Sequence, residues 1–369
     1  VQLADEFGTS ETSVRRHRRA LKRNAAKVDT DDFFVDVPNE VITSRGRTVR
    51  LPDGSYEKVT YSPTAAAIVD MQSSTYDDIA AVFDNPDRVW HNTEAKLASG
   101  TFVITVADLQ VGKVDALGGT PELIKRVLHV YDLIEDHLAE NQYRQIIIAD
   151  AGDMLEGFNN TTQQQQTNDL SLTDQLRTAQ RLVCEGVKRF SQYAPNVIYA
   201  AVSSNHCAVR TGVGSKNRSN APGDDFGLLV QENIRQIIED RPEYAHVKFV
   251  HPEVWEEACT VDCLDGSALG ITHGHLAGKQ EKVGEWFAHQ AFGHRAGLER
   301  ADVLLHGHFH NFRVGLTGNN KFVVGAPTMD NGSSWFSNTS GESSEPAVLT
   351  FCVEGHRAKD WKLWYADDN

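Results

Sequence analysis

Five short apolar runs in this chain each stop at a small group of Asp, Asn, Gln or His residues. TFVITVA is followed by Asp108-Leu109-Gln110, QIIIADA by Gly152-Asp153-Met154-Leu155-Glu156, and VIYAAVS by Ser204-Asn205-His206. ALGIT is followed by His273-Gly274-His275, and ADVLL by His306-Gly307-His308-Phe309-His310. Apolar runs of this length, bounded by turn residues, read as buried strands. In sheets covered by helices, ligands gather beyond the carboxyl ends of the strands. Five polar endings of one kind therefore predict one shared site, and a fold that brings these strand ends together.

Helical spacing fills the gaps between the runs. Leu123, Val127, Val130, Ile134 and Leu138 predict a helix over 120–141, and further helices are expected over 170–193 and near 225–239. The second half of the chain is mostly strand. This alternation predicts an α/β (α+β) domain with mixed sheets over residues 99–369. Residues 28–98 read as a linker with a small mixed subdomain. Its clearest element is a hairpin, RTVRL and YEKVTY across Pro-Asp-Gly-Ser, with a brief helical pattern from Asp78 to Phe83. The Gln163–Gln166 patch reads as an exposed loop or a helix entry.

With 369 residues, 40% of them hydrophobic, the chain can build one large core with an appendage, or two domains. No apolar run reaches the length of about 18 residues that a membrane span requires. The opening VQLADEFG lacks a signal-peptide pattern, so none is expected. Cys184, Cys207, Cys259, Cys263 and Cys352 are odd in number and scattered, which fits free thiols in a reducing cytoplasm. Cys259 and Cys263 have no matching second pair and read as ordinary buried thiols rather than zinc ligands.

A net charge of −15 argues against wholesale nucleic-acid binding. The N-terminus departs from that balance: Thr12 to Lys27 contains seven basic residues and no acidic one. The spacing of Ala4, Gly8 and Val14 resembles the helix-turn-helix pattern, with a small residue where two helices touch and a glycine in the turn. Residues 1–27 then read as the second and third helices of a partial DNA-binding unit. Arg15, Arg16, Arg18 and Arg19 fall on its recognition helix, suited to phosphates and base edges. The plainer reading is an amphipathic basic surface helix.

Carboxylate oxygen, imidazole nitrogen and amide oxygen together suit Mn²⁺, Fe²⁺ or Zn²⁺; an all-oxygen Mg²⁺ site would not need so many histidines. The motifs ADLQ, GDMLE, SNHC, THGH and GHFH, in that order from residue 107 to 310, resemble those of the calcineurin-like metallophosphoesterase superfamily. Its pattern runs Asp-x-His, Gly-Asp-x-x-Asp/Glu, Gly-Asn-His-Asp/Glu, His and Gly-His-x-His, and the resemblance covers essentially everything after Gly100. ADLQVGK and GDMLEG are similar to bacteriophage and actinobacterial members near the double-strand-break-repair exonuclease branch.

The resemblance implies a four-layer α/β/β/α sandwich and two divalent ions, expected to be Mn²⁺. Asp108, Gln110 and His310 would hold the first ion, Asp153 would bridge, and Asn205, His273 and His308 would hold the second. A hydroxide between the ions would attack the phosphorus. His206 would sit beside the scissile phosphate as general acid or charge stabiliser. Three residues depart from the pattern. Gln110 replaces a His, Ser204 a Gly, and Cys207 the acidic residue that normally orients the catalytic His, leaving Asp224 or Asp225 as candidates for that task. Glu156 is expected to support the site from behind or to start a helix, and His275 and His306 to be structural. His251, His289 and His294 read as surface or packing residues, and Asp302 as the start of a strand. The loop from Ala326 to Phe336 either contacts substrate or is a surface loop packed by Trp335.

Joined to a DNA-binding unit, such a domain is expected to be a DNA phosphodiesterase, an exo- or endonuclease. The alternatives are a phosphatase or small-molecule phosphodiesterase, and a non-catalytic DNA-binding protein with a structural metal site. Related nucleases further imply a homodimer and an ATPase partner, and the phage likeness implies the cytoplasm of an infected bacterium.

Overall fold

The computed structural model describes residues 45–50, 56–61, 98–141, 143–160, 164, 167–210, 221–334, 337–338 and 344–366. The expected helix-turn-helix, its four arginines and the pattern from Asp78 to Phe83 lie outside the described residues. The chain divides into two units, Val1–Pro63 and Thr64–Asn369. In the first, β1 (Arg45–Arg50) and β2 (Tyr56–Tyr61) form the expected antiparallel hairpin, with Arg50 opposite Tyr56.

The second unit is a mixed α/β fold with two mixed sheets. Its first sheet begins with β3 (Ala98–Val106), β4 (Tyr143–Asp150), β5 (Val197–Ala201) and β6 (Val247–Val250), parallel and side by side in chain order. Helices α1 (Thr120–Glu140), α2 (Leu172–Phe190) and α3 (Phe226–Ile238) link these strands in turn. Successive right-handed crossovers running in one direction along a sheet put their helices on one face. All three helices do share one core with that face. Phe102, Ile104, Ile146, Ile148 and Tyr199 meet the stripe Leu123, Val127, Val130, Ile134 and Leu138 of α1. The helix starts follow local chemistry. Glu122 accepts the amide of Gly119 ahead of α1, and Asp225 caps α3 by accepting the amides of Gly227 and Leu228.

The second sheet runs in the order β10 (Arg313–Thr317), β11 (Lys321–Gly325), β9 (Val303–His306), β8 (Ala268–Thr272), β7 (Ala258–Asp262). Its three middle strands are parallel and its edge strands antiparallel. Residues of alternate parity on the first sheet, Val103, Ile147, Ala149 and Ala200, face Leu269, Ile271, Val303 and Leu305 across a core between the sheets. A smaller core beneath α4 (Val283–Phe292) covers the other face of the second sheet through Phe287, Leu298, Ala301 and Leu304. Two antiparallel strands, β12 (Ala347–Glu354) and β13 (Arg357–Tyr365), complete the first sheet beside β3.

Two elements carry no clear sequence signal. α4 buries only Val283 and Phe287, too short a stripe to read as a helix. Along β13 a register shift opposite Thr350–Cys352, with Asp360 at φ 54°, breaks the two-residue alternation. One alternative is decided and one expectation is corrected. Residues 151–157 are irregular, so Glu156 starts no helix. Gln164 is buried rather than exposed, because its side chain is used at the site described below. All five cysteines are buried free thiols. Among the described residues no helix is long and apolar enough to cross a membrane.

Candidate metal centre

The strand ends deliver their polar residues with a common backbone device. Asp108 (φ 51°) and Gln110 (φ 45°) follow β3, Asp153 (φ 53°) follows β4, and His308 (φ 70°) and His310 (φ 54°) follow β9. A left-handed conformation is costly for residues with a Cβ and persists where the surroundings over-determine it. Here it turns side chains that would continue the strand into one cleft. The turns are tied together: Asp108 and Gln110 donate backbone amides to the carbonyls of Gly152 and Asp153, both at 2.9 Å. Thr328 Oγ1 donates to the Asp108 carbonyl at 2.7 Å.

Asp153, His273 and His308 offer ligand atoms that all lie within 4.8 Å of one another. His273 is fully buried. Its Nδ1 donates to the carbonyl of Ala151 at 2.8 Å, leaving Nε2 facing Asp153 Oδ2 at 3.0 Å and Asn205 Oδ1 at 2.8 Å. A ring nitrogen between two oxygen acceptors requires a cation, either a proton or a metal ion, so this donor set fits a divalent ion. The titration directions agree. Burial alone would lower the His273 pKa, but the Asp153 carboxylate outweighs it and raises it to about 9. Burial pushes the Asp153 carboxyl up, and His273 and His206 overcome this and hold it well below the usual range. His308 is pushed down to about 3, by burial and then by its neighbour His273, so it is neutral and ready to ligate.

The other half of the cleft contains Asp108, Gln110 and His310. His310 Nε2 lies 3.2 Å from Asp108 Oδ1 and its Nδ1 lies 3.2 Å from Asp330 Oδ2. Burial lowers the pKa of this imidazole, but the two carboxylates together raise it to about 10. Gln110 Nε2 is 3.5 Å from His310 Nε2, while its Oε1 accepts from Lys113 Nζ at 2.6 Å. The same ammonium pairs with Asp330 Oδ2 at 2.5 Å. The amide oxygen expected to ligate the first ion is thus engaged by a lysine.

His206 borders the cleft. Its backbone amide donates to Asp153 Oδ1 at 2.8 Å. Its Nδ1 lies 2.8 Å from Gln164 Nε2, 2.9 Å from the Glu156 carbonyl and 3.3 Å from the Glu156 carboxylate, and its Nε2 lies 4.0 Å from Asp153 Oδ2. Gln164 Nε2 donates to that same carbonyl at 2.7 Å. Burial lowers the His206 pKa, and Asp153 and Glu156 more than reverse this. The carboxylate nearest His206 Nδ1 is that of Glu156. Asp225, a sequence candidate for orienting that ring, instead accepts the Ser204 amide at 2.9 Å and fixes the backbone that carries Asn205 and His206.

The structure thus brings together Asp108, Gln110, Asp153, Asn205, His206, His273, His308 and His310. His306 is buried, with Nδ1 turned to the Gly307 carbonyl at 2.9 Å, and burial lowers its pKa to about 4. His275 Nε2 lies 3.9 Å from Glu257. His251, His289 and His294 are exposed, and Asp302 immediately precedes β9. Two site residues escaped the sequence reading, Lys113 and Asp330. Lys113 in ADLQVGK lies one turn beyond Gln110, and Asp330 belongs to the Ala326–Phe336 loop; neither follows an apolar run. An open cleft of ≈ 610 Å³ is lined by Lys113, His206, His308, His310, Asp330 and Ser333 among others. Trp335 and Phe336 lie outside the described residues.

No known family model matches this chain, and no curated protein matches it.

Proposed function

We propose that this chain is a metal-dependent phosphoesterase of the calcineurin-like kind that its motifs resemble. The observation that carries this reading is the convergence of Asp153, Asn205, His273 and His308, from four different strand ends, into a donor set that demands a cation beside a cleft. When bound, a divalent ion, Mn²⁺ by the resemblance, supplies Lewis acidity toward a phosphoryl oxygen and lowers the pKa of water. The chain's own residues supply the rest. Asp153 and His273 fix the charge at the floor of the cleft. Glu156 holds the Nδ1 proton of His206, whose Nε2 can then give a hydrogen bond or a proton to a phosphate or leaving oxygen.

Within that class, the substrate proposed is a DNA phosphodiester. The support is the basic stretch with Arg15, Arg16, Arg18 and Arg19 behind the helix-turn-helix spacing of Ala4, Gly8 and Val14. The net charge of −15 favours a second reading, a phosphatase or small-molecule phosphodiesterase.

One assay separates these readings. Purified protein with Mn²⁺ is incubated with end-labelled linear and circular DNA, beside p-nitrophenyl phosphate and bis(p-nitrophenyl) phosphate. Cleavage of DNA and of the diester, abolished in Asp153→Asn, is expected. Intact DNA beside a hydrolysed small ester would reject the DNA substrate. Absence of any Mn²⁺-stimulated hydrolysis, or activity untouched by Asp153→Asn, would reject the class.

A further inference from the structure

Both halves of the cleft set an imidazole against a carboxylate, His273 on Asp153 and His310 on Asp108, but only one of them adds a lysine. At Asp153, Asn205 and His273 the oxygens face an imidazole nitrogen, and a metal ion can enter by replacing one proton. At Gln110 and Asp330 the oxygens face a lysine ammonium, at 2.6 and 2.5 Å. An incoming ion would have to displace that whole group.

Local structure fixes the ammonium there. Gly112 stands at φ +101°, and the Lys113 amide donates back to the Gln110 carbonyl at 3.0 Å, closing a tight turn. Asn331 Nδ2 donates to the Lys113 carbonyl at 2.6 Å and ties the turn to the loop that carries Asp330. Asp330 is itself set: its amide donates to Thr328 Oγ1 at 2.9 Å, and its Oδ1 accepts the Gly332 amide at 3.0 Å. The lysine is nine-tenths buried and still lines the cleft. It therefore presents a fixed charge in a place from which solvent is largely excluded, where repulsion of a second cation is weakly screened.

We propose that the Lys113 ammonium takes the place of a cation at the first-ion position. The chain then holds one tightly bound divalent ion, on Asp153, Asn205, His273 and His308. Removing the ammonium frees Gln110 Oε1 to join Asp108 and the His310 Nε2 edge around a second ion. This narrows the two-ion expectation of the sequence and rests on the metal-dependent reading above.

The test is metal stoichiometry rather than turnover. Full-length protein stripped with chelator is loaded with Mn²⁺, passed through gel filtration and analysed for retained metal and by electron paramagnetic resonance. Wild type and Lys113→Arg are expected to retain one ion per chain with the hyperfine pattern of an isolated Mn²⁺. Lys113→Met, and Lys113→Gln as a second neutral variant, are expected to retain two ions whose neighbouring spins couple. Two retained ions in the wild type would overturn the proposal whether or not the variants fold. So would a single ion in a folded neutral variant. Retention of no ion by any of these proteins would overturn the metal-dependent reading together with this one, whereas ions lost only in Asp153→Asn would leave that reading standing.

Discussion

His308 donates its backbone amide to both carboxylate oxygens of Asp108, at 3.1 and 3.0 Å, across 200 residues of sequence. Asp108 follows a strand of the first sheet and His308 a strand of the second, so this contact clamps the two sheets together at the floor of the cleft. The intervening residue makes it feasible. A Cβ on Gly307 would stand 2.4 Å from Asp108 Oδ2, closer than real contacts allow, and 3.2 Å from the Ala151 carbonyl, a tight contact.

Gly307→Ala is therefore expected to push the Gly-His-Phe-His turn away from Asp108. The cost is about 1–3 kcal/mol of stability, as for other overpacked sites, with Mn²⁺ affinity falling about 10-fold or more. Gly315→Ala is the control, since nothing lies within 4 Å of a Cβ there. Thermal melts and Mn²⁺ titrations of the two variants check this. Equal behaviour of both would show that the close approach at Gly307 is not required.

Glu156→Gln keeps the side-chain size but removes the carboxylate beside His206 Nδ1. The Glu156 carbonyl still accepts at 2.9 Å, so the ring stays in place and becomes less basic. A loss of about 10–100-fold in kcat is expected, with KM and Mn²⁺ affinity little changed. Steady-state kinetics on bis(p-nitrophenyl) phosphate would measure it. A pure KM effect would place Glu156 in substrate binding instead.

Asp150 gives a pH signature of stability. Burial raises its pKa from 3.8 to about 7, although it accepts from the Gly152 amide at 2.9 Å and Tyr199 Oη at 3.1 Å. The folded state thus holds this proton more tightly than the unfolded chain does. The associated stability is complete below about pH 4 and is lost as pH rises through about 7, by at most roughly 4 kcal/mol. Asp150→Asn has no carboxyl to ionise, and the Tyr199 hydroxyl can turn to accept from it. In metal-free buffer the melting temperature of the variant, relative to wild type, should rise from pH 5 to pH 8. A difference independent of pH would contradict the raised pKa.

Much of the scaffold was legible along the chain. The five polar strand endings and the α1 stripe from Leu123 to Leu138 follow from local periodicity, which acts between residues a few positions apart. α4 and β13 were not legible, because a two-residue stripe and a bulged strand leave no period to detect. The same holds within the site. Residue type marked Asp153, His273 and His308 as donors, since few other side chains can hold a cation. Nothing local linked Lys113 to Asp330, 217 residues later, or Glu156 to His206, 50 residues later.

The sequence by itself determined which side chains can bind and where each strand stops. The tertiary structure decided how they are paired: Gln110 with an ammonium, His206 with Glu156 rather than Asp225, and Asp108 with the His308 backbone. The reason is physical. Donor chemistry is a property of single residues, whereas the charge each donor meets depends on which strand ends two packed sheets, and the left-handed turns beyond them, bring within 3 Å or so of one another.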